Sequence, residues 1–312
     1  MLCSLKTVIK DYDFSRELKK ERRQVQEAAP FVQWVGGKRR LIDSYQPFFP
    51  EKFNNYFEPF AGGGSLFFHF VNQHGDSKQY TLFDKNQELA TTYNQIKEDW
   101  RAVQYLLNEM NKKHSKEFYY SVRNIDREKI SERRYKKTLS IAKDLDPAEV
   151  AARFLYLNIT CFNAIYRVNR DGLMNVPVGR TLQKNFGDNG NLKLCSEALK
   201  NATVSDKDFS DVEDLVQPGD LVYFDPPYDP ISDTSSFTAY TEGGFSFEDQ
   251  TRLRDLAQRL KDKGVHVYLS NSGSSRIREL YKNWTIKEFS LKRTLNSKAE
   301  KRKDDVAELL IF

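Results

Sequence analysis

The order of elements over residues 55–84 constrains the fold more than any other feature of this sequence. "NYFEPF" (55–60) has the apolar and aromatic composition of a short strand, and "AGGGS" after it predicts a tight turn. Ser65 is expected to cap the helix that follows, and "QYTLFD" (79–84) predicts a second strand, which ends on an acid. A strand, a glycine turn, a helix, a strand and an acid in this order are typical of a doubly wound α/β sheet.

The same alternation of strands and helices returns near the C-terminus. Ser246 and Asp249 form a capping box for a helix that Gly264 ends. Further elements are expected as a helix at 86–111 and strands at 202–209, 221–225, 265–271, 284–291 and 306–312. The sequence therefore predicts one sheet domain made of two separated parts.

The region between these parts has a different character. Residues 112–143 are polar and basic, and Pro147 begins an amphipathic helix. "YRVNRDGLMNVPVGR" (166–180) predicts a hairpin that turns at Asp171-Gly172, and residues 181–199 are expected to be a loop. This insert has the character of a recognition module.

Composition narrows the functional classes. The 312 residues carry a formal net charge of +5, and the excess of basic residues is concentrated in the insert. The three cysteines and four histidines show no spacing typical of a disulfide framework or a metal site, so no metal is expected. No apolar run is long enough to span a bilayer, so we expect a reduced, cytoplasmic protein without a membrane anchor.

Two motifs near the N-terminal strand favour a nucleoside-type cofactor. Asp84 follows the glycine turn by about twenty residues, where an acid accepts hydrogen bonds from ribose hydroxyls. "WVGGK" places Trp34 and Lys38 around Gly36-Gly37, and this arrangement suits either a bound adenine ring or carboxylate, or a plain turn with a solvated lysine. The glycine turn alone is equally compatible with packing.

"YFDPPY" (223–228) is the most specific motif. An apolar strand ends on Asp225, which Pro226, Pro227 and Tyr228 follow. Neither proline has a backbone N–H, so the corner offers acceptors only. It suits a ligand group that is purely a donor, such as an exocyclic amine, with the tyrosine stacked on the ring that carries the amine. A rigid turn after a core strand is the simpler alternative.

Taken together, these motifs resemble those of the α-group DNA N6-adenine methyltransferases, the Dam-type and restriction–modification enzymes. The similarity runs from Phe31 to Phe312 and includes "WVGGK", "FEPFAGGGSLFF", "LFDKN", "FNAIYRVNRDGLMNVPVGR", "YFDPPY" and "RTLNSK". It looks especially close to the GATC-methylating enzymes of the pneumococcal restriction type. Two departures are Gln33, where the Dam-type enzymes often have a lysine, and Ala164-Ile165, where the family usually has Gly-Leu.

The resemblance implies a Rossmann-like sheet with an antiparallel last strand that uses S-adenosylmethionine. It implies a charged leader at 1–30, a catalytic and cofactor-binding domain at 31–111 and 200–312, and a target-recognition domain of helices and a β-hairpin at 112–199. Asp225, Pro226, Pro227 and Tyr228 would receive a flipped adenine. The implied cofactor contacts are Trp34, Gly36, Gly37, Lys38, Glu58, Phe60, Ala61, Gly62, Asp84, Asp208, Phe209 and Asp225.

The implied partner is double-stranded DNA, bound by a monomer. Arg167 is our candidate guanine reader, because arginine pairs bidentately with guanine O6 and N7. The other implied DNA contacts are Asn163, Ile165, Tyr166, Pro177 and Arg180, and the basic run would contact phosphates. The resemblance is compatible both with an enzyme that acts alone and with one that protects DNA from a cognate restriction endonuclease.

Several alternatives remain at the level of sequence. The corner would also suit cytosine N4, a glutamine amide or an RNA base, although N4-cytosine enzymes usually have serine in place of Asp225. The recognition sequence in DNA could also be one other than GATC. The fold could also serve a DNA-binding regulator without enzymatic activity. Cys161 and Cys195 lie outside any strand-end Pro-Cys setting, which disfavours C5-cytosine chemistry.

Overall fold

A computed structural model describes residues 27–34, 36–128, 145–169, 172–180, 190–229, 244–292 and 305–312. Most of the charged leader, residues 129–143 of the basic run and Asp171 of the hairpin turn lie outside the described residues. The strands are β1 (Tyr56–Glu58), β2 (Tyr80–Phe83), β3 (Ala202–Ser205), β4 (Leu221–Phe224), β5 (His266–Ser272), β6 (Ile286–Lys292) and β7 (Asp305–Ile311). The α-helices are α1 (Ile42–Tyr45), α2 (Ser65–His74), α3 (Gln87–Lys112), α4 (Lys116–Glu128), α5 (Pro147–Thr160), α6 (Asn191–Ala198), α7 (Phe247–Asp262) and α8 (Ser275–Leu280).

The described strands form one mostly parallel sheet with the order β3-β2-β1-β4-β5-β7-β6. β1 pairs in parallel with β2 on one side and with β4 on the other. The strand order therefore reverses its direction at β1. β7 is antiparallel to both β5 and β6. The predicted Rossmann-like α/β class and its antiparallel last strand are confirmed.

Local sequence signals account for most helix starts. Asn86 accepts a hydrogen bond from the Leu89 amide and begins α3, and Asp146 forms a capping box with Glu149 at the start of α5. The predicted capping box of Ser246 and Asp249 begins α7. These three starts are as the sequence predicts.

Two expectations about local structure are wrong. Ser65 is the first residue of α2 rather than its cap, because Gly64 occupies the cap position with a left-handed φ of +65°. Residues 191–198 form α6 instead of a loop. This segment is helical because Leu192 and Cys195 bury their side chains in the main core, a tertiary contact that the polar sequence around them does not reveal.

The insert shares its core with the sheet domain. α5 packs along α3, and its side chains belong to the same buried cluster as Tyr80 and Leu82 of β2. The hairpin is held by antiparallel bridges between Cys161 and Val178 and between Val168 and Met174. The helical part of the insert is therefore packed into the molecule rather than attached to it by linkers.

Candidate active site

Three acids converge at the carboxyl edge of the sheet, where ligands of open α/β sheets bind. Glu58 ends β1, Asp84 follows β2 and Asp225 follows β4. Because β1 lies between β2 and β4, these side chains come from three adjacent strands. The sequence predicts each acid separately, and the strand order brings them to one edge.

Close packing explains the glycine turn after β1. A Cβ atom at Gly62, where φ is +47°, would lie 2.7 Å from the Trp34 ring. Asp84 ties this turn to the end of β2, since its two carboxylate oxygens accept bonds from the amides of Gly62 and Asn86, each at 2.9 Å. The glycine turn therefore packs against Trp34 and is hydrogen-bonded to Asp84. Ala61, in the same turn, is buried.

Glu58 connects β1 to α2 through hydrogen bonds. Its Oε2 accepts hydrogen bonds from the Tyr56 hydroxyl and the Phe67 amide, both at 3.0 Å. Burial raises the pKa of Glu58 to about 8, because the charged form would lose its hydration. The buried carboxyl group therefore binds a proton more readily than an exposed glutamate does.

An aromatic patch lies beside the glycine turn. Phe60 stacks on Phe209 with ring centres 5.3 Å apart, and Phe245 packs edge-on against Phe60. Asp208 accepts a bond from the Ser210 amide and lies 3.4 Å from Lys85, the residue after Asp84. The structure thus brings together the sequence-predicted residues Phe60, Asp84, Asp208 and Phe209.

Asp225 lies at the centre of a buried charge cluster. The Lys38 ammonium, only 3% exposed, is 2.7 Å from Asp225 Oδ2, and it also donates to the Gly36 carbonyl at 2.6 Å. Desolvation raises the pKa of Asp225 to about 6, although the charge of Lys38 opposes this. Asp225 Oδ1 is buried and has no hydrogen-bond partner among the described residues.

Glu308 of β7 is a site residue that the sequence analysis missed. Its Oε1 is 3.4 Å from the Lys38 ammonium and accepts hydrogen bonds from the hydroxyls of Tyr228 and Tyr45. The Tyr228 ring lies 5.0 Å from the same ammonium. A single acid in the apolar run "VAELLIF" was the available signal, because an apolar strand seldom buries an unpaired charge.

A second buried network fixes the proline corner from behind. Gln250 of α7 donates to the Pro227 carbonyl at 2.8 Å, and Asn271 of β5 donates to Gln250 at 2.9 Å. Asp229 accepts a bond from the Ser274 hydroxyl at 2.8 Å, and its own carbonyl accepts one from Ser272 at 2.7 Å. The corner is therefore rigid at both ends, which makes its acceptors preorganised.

The hairpin presents most of its predicted DNA contacts to solvent. Four of the candidates are exposed and Ile165 is half-buried; the exposed ones are Asn163, Arg167, Pro177 and Arg180. The guanidinium of Arg167 donates to Asn175 at 3.2 Å, and that of Arg180 lies over the Phe162 ring at 5.6 Å. Their positions agree with a surface role, and their contacts to bases stay predictions.

Tyr166 is placed differently from its neighbours. Its side chain is only 5% exposed, its ring packs 4.6 Å from that of Phe154, and its hydroxyl donates to Glu88. A side chain so enclosed supports the hairpin from inside instead of facing a ligand. We therefore reassign Tyr166 from a DNA contact to an internal support.

The described residues show neither a metal site nor a membrane span. No group of His, Cys, Asp and Glu among them could hold a metal ion. Of the helices that the structure describes, none is long and apolar enough to cross a membrane.

The sheet order and the acid–proline–proline–tyrosine corner at its carboxyl edge define a Rossmann-like methyltransferase fold. The family model described as D12 class N6 adenine-specific DNA methyltransferase matches residues 34–295. The chain belongs to this family of enzymes.

Named relatives cover most of the chain. A Type II methyltransferase, M1.LlaDCHI of Lactococcus lactis subsp. cremoris, is 40% identical over 88% of this chain and 91% of its own length. The Type II methyltransferase M.MjaIII of Methanocaldococcus jannaschii is 37% identical over 92% of this chain and 99% of its length. The DNA adenine methylase of Escherichia coli K12 is 32% identical over 90% of this chain and 93% of its own length.

Proposed function

We propose that this enzyme transfers a methyl group from S-adenosylmethionine to N6 of adenine within GATC in duplex DNA, after the base has flipped out. The unpartnered, buried Oδ1 of Asp225 carries the proposal. It lies beside two prolines that lack N–H groups, so their backbone offers an incoming amine only carbonyl acceptors. An exocyclic NH₂ is the kind of ligand that satisfies this corner.

The residues around the glycine turn fit S-adenosylmethionine, which when bound supplies an electrophilic methyl group. Asp84 keeps lone pairs for ribose hydroxyls after accepting its two amide bonds. The Phe60 and Phe209 pair, with Asp208, offers apolar and polar contacts for an adenine ring. Trp34, Gly36, Gly37, Lys38, Glu58, Ala61 and Gly62 complete the proposed cofactor set.

Asp225 and the Pro226 carbonyl would activate the target nitrogen. The N6 lone pair is a poor nucleophile while it conjugates with the ring. Accepting both amine hydrogens favours a pyramidal nitrogen with a free lone pair, which stabilises the transition state more than the ground state. Lys38 helps to hold Asp225 in its charged, accepting form.

Tyr228 and the preorganised corner would hold the base for reaction. The Tyr228 ring would stack on the flipped adenine, with its hydroxyl fixed by Glu308. The hydrogen bond from Gln250 to the Pro227 carbonyl would help to hold the backbone of the corner in place around the base. Asp225 would also accept the proton that N6 loses after methylation.

The hairpin would read the DNA sequence. Arg167 would contact a guanine, while Asn163, Ile165, Pro177 and Arg180 would contact neighbouring bases or phosphates. GATC rests on the resemblance of "ISDTSSFTAYTEGGFSFEDQTRLRD" (231–255) to the GATC-methylating group. We further propose a cytoplasmic monomer that acts either alone or beside a restriction endonuclease.

Asp225→Ala tests the chemistry. We expect loss of methyl transfer to DNA, with binding of DNA largely retained, because the acceptor disappears while the hairpin is unchanged. Asp255→Ala is the matched control, since Asp255 is an exposed acid on α7. Normal methylation by the Asp225 variant would refute the proposed role of the corner.

The product and the site are tested separately. After methylation with labelled S-adenosylmethionine, nucleoside analysis distinguishes N6-methyladenine from N4-methylcytosine, and absence of both would support a non-enzymatic regulator. Digestion of the plasmid with GATC-cutting nucleases of opposite methyl sensitivity then tests the sequence. We expect protection from one nuclease and cleavage by the other. An unchanged pattern with N6-methyladenine present would assign another recognition site.

A further inference from the structure

A buried ionic cluster joins the cofactor side of the molecule to the hairpin. Arg153 of α5 is 1% exposed, and its Nη1 lies 2.6 Å from Glu88 Oε1. The other oxygen of Glu88 accepts the Tyr166 hydroxyl. Each oxygen of the carboxylate is therefore bonded to a side chain from a different part of the insert.

The cluster lies between two parts of the proposed site. Glu88 is in the first turn of α3, four residues after Asp84. Tyr166 stands between Ile165 and Arg167, two of the proposed base readers. Arg153 also donates to the Val122 carbonyl of α4 at 3.1 Å, so α4 is held by the same group.

We propose that Tyr166 is a positioning residue for sequence discrimination, acting through its hydrogen bond to Glu88. Tyr166 is buried, whereas the next residue, Arg167, is exposed, so the two side chains lie on opposite sides of this segment. Anchoring Tyr166 inward therefore fixes the outward direction of Arg167, which is exposed. The inference rests on the proposed function, because it concerns the same hairpin.

The chemistry of the anchor explains why it would affect specificity. A hydroxyl bonded to a buried carboxylate is directional, whereas an apolar contact between Phe154 and the ring alone permits rotation and sliding. Correct bases make bidentate bonds that require close alignment, and wrong bases do not. A loosened hairpin should therefore weaken the cognate complex more than the non-cognate one.

Tyr166→Phe tests the proposal, with Tyr80→Phe as the matched control. Both changes remove one hydroxyl from a buried tyrosine, and the Tyr80 hydroxyl donates to the Gly75 carbonyl in the turn after α2. Each variant is assayed on the duplex that the wild type methylates and on duplexes with one base pair changed. The ratio of kcat/KM values between these substrates measures discrimination.

We expect the ratio to fall about tenfold in Tyr166→Phe, the size of one lost hydrogen bond to a charged group. The fall should come from KM for the cognate DNA, while the Kd for S-adenosylmethionine stays unchanged. Amides of residues 162–169 and 172–179 should exchange hydrogen faster in this variant. Tyr80→Phe should change neither the ratio nor the exchange of these amides.

An unchanged ratio and unchanged exchange in Tyr166→Phe would overturn the proposal. Equal losses on all duplexes would also overturn it, because they indicate a structural role without discrimination. If the wild type methylates no DNA, the proposed function fails instead, so the two failures are distinguishable.

Discussion

Asp225 makes the proposed chemistry sensitive to pH. Burial raises the pKa of Asp225 to about 6. Only the ionised carboxylate can accept hydrogen bonds from both the Lys38 ammonium and the target amine. Single-turnover methylation should therefore fall about tenfold for each pH unit below that pKa and stay level above it.

The variant Lys38→Met tests the electrostatic origin of this pH dependence. The Lys38 charge lowers the pKa of Asp225, so its removal should move the midpoint of the pH profile upward. A rate that stays level one unit below the pKa of Asp225 in the wild type would contradict the role of this carboxylate.

Ala164 carries backbone strain. Its φ of +54° lies in the left-handed region, which costs an L-residue about 1–2 kcal/mol and costs glycine little. Ala164→Gly should raise the free energy of unfolding by roughly 0.5–1 kcal/mol, after the larger chain entropy of glycine is subtracted. Urea denaturation measures the change.

Ala151→Gly is the control, because the same change at this position should lower the free energy of unfolding. Ala151 lies within α5, where glycine should cost about 1 kcal/mol. Destabilisation by both changes would show that the backbone at position 164 is not strained.

At the scale of elements, strand β7 contributes a charge to the site from outside the parallel part of the sheet. β7 lies between β5 and β6, and Glu308 pairs in register with Ser272 of β5. Its negative charge raises the pKa of Asp225. Glu308→Gln keeps an acceptor for Tyr228 but removes that charge, so the midpoint of the pH profile should move downward.

Glu308→Leu should behave differently, because it leaves both the Tyr228 hydroxyl and the Lys38 ammonium without this partner. We expect its methylation rate to fall at least about tenfold, as for a lost bond between charged groups. Glu288→Gln, on the exposed surface of β6, is the control for both variants. Equal pH profiles in Glu308→Gln and the wild type would exclude Glu308 from the electrostatics of the site.

At the scale of the whole molecule, the insert and the sheet share one core. The buried cluster that contains Leu82 of β2 also contains residues of the insert, namely Tyr119 and Val122 of α4, Leu155 of α5 and Leu192 of α6.

A chain of residues 112–199 alone would expose these apolar faces. We expect it to show little helix by circular dichroism, and the full chain to unfold in one transition. A folded fragment would support an independent target-recognition domain.

Local patterns predicted much of this fold. The capping residues Asn86 and Ser246 fixed two helix starts, and the apolar runs before Asp84 and Asp225 fixed two strands. These signals depend on neighbours in the chain. The helix at 191–198 and the burial of Tyr166 depend on distant contacts, with the main core and with Glu88, and no local pattern encodes them.

The sequence by itself determined the chemistry that is available: an acceptor-only corner at Asp225, a glycine turn, an acid after the second strand and a hairpin that contains arginines. The tertiary structure decided how these groups are held. It brought the Lys38 ammonium into contact with both Asp225 and Glu308, and it turned Tyr166 inward. The physical reason is that charge pairing and burial are set by strand order and packing between residues far apart in the chain.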